Sequence, residues 1–369
     1  MMIRKIERVA IIGAGNGGCA AAAELTQLGL EVRLYGRSAS TVQPMQAIGG
    51  VEHEGVIGDG FTPLALITSD AGEAMNGADA VVVMAPTHAH VNMAMTIAPH
   101  LAQHQVIFSA PGHTLTLFPN ALRQHGHPAP ITCESATLPY ICRKVTPSRV
   151  RVSRKAAKLK FAAFPATRTQ ELADMIRPLF PAVSPVPTLL DTVFPYTNAI
   201  HHPPALLCNI GRVESGDEYC HYYEGITPSV GRIIDRLDVE RQAVASAFEC
   251  RVDPLPEYFH QIGYTNEAGK AGGTAYSTFQ NSDPNRWIKA PKSIDHRFFN
   301  EDIPYGLVLL SELGRLAGVP TPACDAVVEL ASIATGKEFR SEGLTLERLG
   351  IAKLSIGELR AVLQEGFGG

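Results

Sequence analysis

The sequence predicts an α/β N-terminal domain of the Rossmann dinucleotide-binding type, followed by an all-α C-terminal domain. Three observations carry this. Short apolar runs alternate with helical stretches through the first half, a glycine-rich turn links the first strand to the first helix, and β-branched runs vanish beyond a proline-rich stretch at 181–195. At 369 residues the chain has room for about two ordinary domains. The boundary is placed near residue 185, giving a cofactor domain over 1–185 and a helical domain over 186–369.

Val9-Ala10-Ile11-Ile12 reads as a buried strand that enters Gly13-Ala14-Gly15-Asn16-Gly17-Gly18 and then an alanine-rich helix ending near Gly29. A second strand follows, Glu31-Val32-Arg33-Leu34-Tyr35. Strand, Gly-x-Gly-x-x-Gly, helix and strand within about 30 residues is the setting a dinucleotide turn requires. Gly13 permits the tight turn, Gly15 lets a pyrophosphate approach the backbone, and Gly18 lets the helix pack on the strand. Asn16 stands where the helix N–H groups face the phosphates. The end of the second strand offers Tyr35, Gly36, Arg37 and Ser38, with no acid to hold the ribose 2′-hydroxyl of NAD. A guanidinium and a hydroxyl suit a 2′-phosphate, so NADP is the expected cofactor and NAD the alternative. The competing reading of Arg37 is a side chain stacked on adenine or turned to solvent.

Ala80 to Met84 reads as a parallel strand ending at Ala85-Pro86-Thr87-His88, and Gln105 to Ser109 as another ending at Pro111-Gly112-His113. Ile131-Thr132-Cys133 leads to Glu134. Ligands of open parallel sheets bind outside the carboxyl ends of the strands, which makes Pro86 and Glu134 candidates. Residues 149–153 and 158–162 read as alternating, hairpin-like strands, followed by an amphipathic helix through Leu172, Met175 and Ile176.

Beyond the boundary, 205–210, 230–248, 305–316 and 324–334 carry helical spacing. The Gly-, Thr-, Ser- and Asn-rich stretch 263–285 reads as a long loop over the site. In Asn198-Ala199-Ile200-His201-His202-Pro203-Pro204, proline belongs in the first turn, so a helix is expected to begin at Pro203 with His202 near its N-cap. A histidine exposed at a helix mouth serves as a general acid or base. The helix dipole would lower its pKa, so a carboxylate partner is wanted, and Glu301-Asp302-Ile303-Pro304-Tyr305-Gly306 offers Asp302. Thirteen histidines cannot all be catalytic; His88, His90, His113, His221 and His296 read as structural. Cys220-His221 lacks further ligands at sensible spacing, so no metal site is expected.

Composition narrows the partners. There are 32 basic and 36 acidic residues, a formal net charge of −4, which argues against general nucleic-acid binding. The longest apolar runs fall short of a membrane span. Arg4, Lys5 and Arg8 before an apolar run mimic a secretory signal, but glycines and an asparagine interrupt its core. Seven scattered cysteines without a C-x-x-C suit reduced thiols in a cytoplasmic protein. Gly366-Phe367-Gly368-Gly369 reads as a frayed end. A homodimer stays open as the assembly.

Five blocks together resemble the octopine/nopaline dehydrogenases, the opine dehydrogenase family: Gly13-x-Gly15-x-x-Gly18; Glu134 with Pro139-Tyr140-Ile141-Cys142-Arg143; Asn198-x-x-His201-His202-Pro203-Pro204; Tyr222-Tyr223-Glu224-Gly225-Ile226-Thr227-Pro228; and Glu301-Asp302-Ile303-Pro304-Tyr305-Gly306 with Gly318-Val319-Pro320-Thr321-Pro322. The first is common to many dehydrogenases; the other four are jointly specific. The resemblance implies condensation of an amino acid with an α-keto acid and reduction of the imine by NADH or NADPH. It puts the family's His–Asp pair on His202 and Asp302, with His201 adjacent as the other candidate. Glu134 is then expected to hold the ammonium and Arg143 a carboxylate, with Cys142, Asn198 and His201 as further substrate contacts. The bland alternative for Glu134 and Arg143 is an internal salt bridge. Two rival functions stand beside this: a keto-acid reductase making a 2-hydroxy acid, and a non-catalytic NADP-binding regulator.

Overall fold

Strands of the first half are apolar at consecutive positions because both of their faces are covered. The computed structural model describes residues 5–127 and 129–368. Arg4 and Gly369, read above as parts of terminal segments, lie outside them. The chain forms two units, one of the residues up to Val193 together with those from Gly357, the other Phe194–Ile356.

Strands of the first unit are, in chain order, β1 (Arg8–Ile12), β2 (Glu31–Tyr35), β3 (Gly50–Gly55), β4 (Gly60–Pro63), β5 (Leu66–Thr68) and β6 (Ala80–Val83). They continue with β7 (Val106–Ser109), β8 (Thr132–Ser135), β9 (Tyr140–Lys144), β10 (Arg149–Lys155), β11 (Leu159–Phe164) and β12 (Val183–Pro185). Eight make one sheet in the order β12-β11-β8-β7-β6-β1-β2-β5. From β5 to β8 every neighbour is parallel, while β11 runs antiparallel to β8. Val9 and Ile11 face one core cluster and Ala10 and Ile12 the other, which is why β1 shows no alternation. This is the Rossmann-type domain expected from the glycine turn.

A second sheet, β4-β3-β10-β9, was not legible in the sequence. Helix α1 (Asn16–Gln27) packs with both sheets: Cys19, Ala20, Ala21, Ala22 and Leu25 share one core with Val9 and Ile11 and with Val51, Val150 and Val152. Alanines keep that helix thin enough to be shared. The hairpin expected at 149–162 does not form. β10 pairs with β9 and β3, whereas β11 joins the large sheet between β8 and β12. Burial separates the two: β10 alternates over a single core face, while β11 is buried almost throughout. The end expected to fray is also anchored. Phe367 packs 5.0 Å from the Phe164 ring, under the Arg123 guanidinium at 4.2 Å.

The second unit is helical, with Pro228–Ala247, Val308–Ala317 and Pro322–Thr335 near the expected places, while the helix expected at 205–210 is instead the end of Asn198–Leu207 and the start of Ile210–Glu214. Ile226, Val230, Ile234, Leu255, Phe259 and Phe279 form one of its cores. Two expectations are corrected. The stretch 263–285 is not a long loop but carries short helices, Glu267–Ala271 and Ala275–Gln280, capped by the side chains of Asn266 and Thr274 on the Gly269 and Ser277 N–H groups. The helix of the histidine block begins at Asn198, not Pro203, so both prolines lie inside it. Their missing N–H groups forgo bonds to the Ala199 and Ile200 carbonyls, a loss on the order of 3 kcal/mol for an interior proline. Burial of Ile200, Ala205 and Leu206 holds the helix regardless. Among the described residues no helix is long and apolar enough to cross a membrane.

Candidate active site

In the second unit, moving the helix start back to Asn198 puts His202 in the helix interior rather than at its mouth. The residue is 5% exposed, and Asp302, at the head of a π-helical turn Ile303–Leu307, is fully buried. His202 Nδ1 lies 2.7 Å from Asp302 Oδ2, and Nε2 lies 2.8 Å from the Tyr222 hydroxyl. The Tyr196 hydroxyl donates to the second oxygen of Asp302. Phe298 stacks on the imidazole with ring centres 4.0 Å apart.

Burial, not the helix dipole, sets the electrostatics. It pulls the His202 pKa well below the usual range, aided by the nearby cations of Arg297 and His296 when charged. It lifts the Asp302 carboxyl to about 7, against the opposing pull of the Tyr196 hydrogen bond and of Arg297. Burial thus favours the neutral imidazole, and in the tautomer that donates Nδ1–H to Asp302, Nε2 is left to the Tyr222 hydroxyl. The carboxylate stabilises the imidazolium once a proton arrives.

His201, the neighbouring candidate, is also buried, at 3% exposure, and its Nδ1 has no hydrogen-bond partner among the described residues. It packs among Phe259, Phe279 and Tyr222, with no carboxylate bonded to it. Asn198 opens the helix and is half-buried. Three residues given no functional role by the sequence surround the pair. Arg297, half exposed and 3.1 Å from Glu301, places a cation near both members. His221 and His296, read as structural, both contact Phe298, at 4.7 and 4.4 Å. Neither ring nitrogen of His221 has a hydrogen-bond partner among the described residues.

In the first unit, the glycine turn takes the shape its spacing implies. Gly13 has φ +123°, and a Cβ there would fall 2.5 Å from the Met84 carbonyl oxygen; at Gly18 it would fall 1.6 Å from that of Gly13. Gly15, by contrast, faces open space. The first turn of α1 carries no acidic side chain. Close packing on two sides, an open approach on the third and unopposed helix N–H groups together fit a dinucleotide pyrophosphate. Asn16 is partly committed: its Oδ1 accepts from the Lys144 backbone N–H at 2.9 Å, which brings Lys144 Nζ to 3.3 Å from the Ala14 carbonyl oxygen. Lys144 thus stands a cation over the turn that the sequence did not disclose. Arg37 and Ser38 are exposed at the end of β2, where the Ser38 hydroxyl bonds that of Thr41 at 2.7 Å. Arg37 makes no hydrogen bond or ion pair among the described residues, which leaves its guanidinium available. Pro86 is exposed beyond β6.

Glu134 sits on β8 at 4% exposure, its carboxylate accepting from the His113 N–H at 3.0 Å and from the Thr192 hydroxyl. Burial raises its pKa to about 7 despite both bonds. The donating loop is tightly set: His113 and Leu115 hold φ of +48° and +52°, and a Cβ at Gly112 would lie 2.3 Å from the Glu134 carboxyl carbon. Arg143 is exposed on β9 in the other sheet, its Cα paired with Arg151, and makes no ion pair with Glu134 among the described residues. Cys142 is half-buried, and burial together with Cys19 pushes its thiol up to about 12.

Comparisons with known proteins give the family and the fold. Residues 185–335 match the model for the NAD/NADP octopine/nopaline dehydrogenase α-helical domain, and residues 8–111 that for the NAD-dependent glycerol-3-phosphate dehydrogenase N-terminus. The chain is 35% identical to the opine dehydrogenase of Arthrobacter sp. (strain 1C) over 357 residues, 96% of this chain and 98% of that protein. In fold it is similar to an octopine dehydrogenase solved with NADH and agmatine, with a TM-score of 0.80 at 20% identity over 98% of this chain and 99% of that one. It is also similar to a yersinopine dehydrogenase solved with NADP+, with a TM-score of 0.73 at 12% identity over 98% of both chains.

Proposed function

The chain belongs to the octopine/nopaline family of opine dehydrogenases, NAD(P)-dependent oxidoreductases acting on CH–NH bonds, and we propose that His202, backed by Asp302, is its general acid–base group. The reaction joins an amino acid amine to an α-keto acid and reduces the resulting imine, or runs in reverse. The observation that carries the reading of the dyad is the buried 2.7 Å bond between His202 and Asp302. A neutral imidazole with its Nδ1–H fixed stores at Nε2 the proton that the incoming ammonium gives up and returns it as the carbinolamine loses water. Gly13, Gly15, Gly18 and the start of α1 hold the cofactor pyrophosphate, with Lys144 beside them. NAD(P)H, when bound, supplies the hydride. Arg297, beside the dyad, offers its half-exposed guanidinium to a substrate carboxylate, and the exposed Arg143 of the small sheet is the other candidate for that role.

The test is NADPH oxidation with pyruvate alone and with pyruvate plus a panel of amino acids. Oxidation that needs the amine supports the reading. Equal rates without it would favour the keto-acid reductase, a rival the buried Glu134 argues against.

NADPH is the preferred cofactor in this reading, because Arg37 and Ser38 stand where an NAD site carries an acid. Replacing Arg37 by alanine is expected to weaken NADPH binding roughly ten- to a hundredfold, the scale of one or two charge-assisted hydrogen bonds, and to leave NADH nearly unchanged. Titration of both cofactors checks this. Equal losses would return Arg37 to an adenine-stacking role.

Glu134 holds the substrate ammonium. Its pKa near 7 gives the sign of a pH effect: below that value the carboxyl is neutral and attracts no cation. The KM for the amino acid is therefore expected to rise as pH falls through about 7, with the keto-acid KM little changed. In Glu134→Gln the amino-acid KM should be raised and that pH dependence lost. A variant that is merely less stable, with unchanged kinetics in its folded fraction, would make Glu134 a structural anchor of the 112–115 loop.

A further inference from the structure

The dyad has a third member. Asp302 occupies Nδ1 of His202, so Nε2 is the ring atom through which a proton must enter or leave, and Nε2 is capped by the Tyr222 hydroxyl at 2.8 Å. Tyr222 is not a surface side chain poised to swing aside. It is 6% exposed, its ring lies nearly parallel to that of Phe279 at 5.3 Å, and it belongs to the core with Ile226, Val230 and Phe259. His202 is equally held, under Phe298 and against Asp302.

We propose that the Tyr222 hydroxyl, rather than the imidazole itself, exchanges the proton with the substrate, with His202 and Asp302 acting behind it. This rests on the reading of His202 as the acid–base group and extends it by one atom. A phenol has one O–H and two acceptor positions on its oxygen. While His202 is neutral, Nε2 is an acceptor and the Tyr222 O–H donates to it. Once His202 is protonated, Nε2–H donates to the Tyr222 oxygen, and the phenolic hydrogen must turn to another acceptor. Among the described residues the Tyr222 hydroxyl has no other hydrogen bond, and in the relay the acceptor that receives its hydrogen is the substrate oxygen.

The step balances. As the carbinolamine C–O bond breaks, the departing oxygen takes the phenolic proton and leaves as water. Tyr222 is restored by the proton on His202 Nε2, and the nitrogen lone pair closes the C=N bond. Imidazolium and neutral carbinolamine become imidazole, water and iminium, with one positive charge on each side. The phenol does not stand as a free phenolate at any point. Burial raises its pKa, so it gives its proton only while receiving another.

The experiment is Tyr222→Phe, which keeps the ring and its stacking on Phe279, compared with His202→Ala and the unaltered enzyme. Turnover in Tyr222→Phe is expected to fall about 10²–10³-fold, within the usual range for general acid–base groups, with KM values within about threefold and NADPH binding retained. In the unaltered enzyme the rate in H2O/D2O mixtures should show two protons in flight. Replacing Tyr222 by a difluorotyrosine, which packs alike but is a stronger acid, should shift the pH–rate profile, which a purely structural tyrosine would not do. Turnover within threefold of normal in Tyr222→Phe, with His202→Ala inactive, would overturn the relay and leave the imidazole as the direct donor. An active His202→Ala would overturn both the relay and the dyad.

Discussion

Replacing His202 by alanine is expected to lower turnover by roughly 10²–10⁴, the scale general acid–base catalysis contributes. Asp302→Asn should lose a large share of the same factor. The amide removes the charge that stabilises the imidazolium, and its NH2 can hold Nδ1 in the wrong tautomer. Because the two side chains act through one 2.7 Å bond, the double variant should be little worse than His202→Ala alone. NADPH binding should survive in all three, since neither residue belongs to the glycine turn. Single-turnover reduction and cofactor binding, measured side by side, separate these outcomes. Additive losses would split the pair and leave Asp302 as a fixture of the π-helical turn it heads. A fully active His202→Ala would pass the role to His201.

The second large effect is expected at Gly18. One methyl group there would sit 1.6 Å from the Gly13 carbonyl oxygen, and the contact is backbone on both sides, so no side chain can yield. Helix α1 must move away from the turn, and with it the N–H groups that face the pyrophosphate. Gly18→Ala should weaken NADPH and NADH alike by about 10²-fold or more, roughly 2.7 kcal/mol. That equal loss distinguishes it from Arg37→Ala. Circular dichroism separates the two ways of losing binding, a displaced helix in a folded protein or failure of the core that α1 shares with both sheets. Normal affinity for both cofactors would mean that the turn does not carry the phosphates.

How much was legible depended on how local each feature is. The glycine turn is written within six consecutive residues, and its geometry follows from backbone sterics alone, so Gly13, Gly15 and Gly18 could be assigned physical roles from the sequence. His202 and Asp302 are 100 positions apart, and composition could say only that a histidine wanted a carboxylate; the pairing came from the family resemblance. Lys144 had no such signal. It reaches the turn because β9 crosses α1, 128 positions from Asn16. The small sheet escaped notice because its strands β3 and β4 are short, polar and glycine-bounded, the composition of a loop. The helix at Asn198–Leu207 was placed too late because the proline rule weighs local hydrogen bonds, whereas here tertiary burial outweighs two lost ones. His202 accordingly lies in the helix interior, where burial rather than the helix dipole lowers its pKa.

The central claim is that the carbon reduced here is bonded to nitrogen. It is tested most directly by following the hydride: NADPH deuterated at the transferring position, pyruvate and an amino acid accepted in the panel assay, with the product read by mass spectrometry. The account predicts deuterium on the former carbonyl carbon of a secondary amine that joins the two substrates, and no label in product when the amine is omitted. Deuterium appearing in lactate, at the same rate with or without the amino acid, would contradict it.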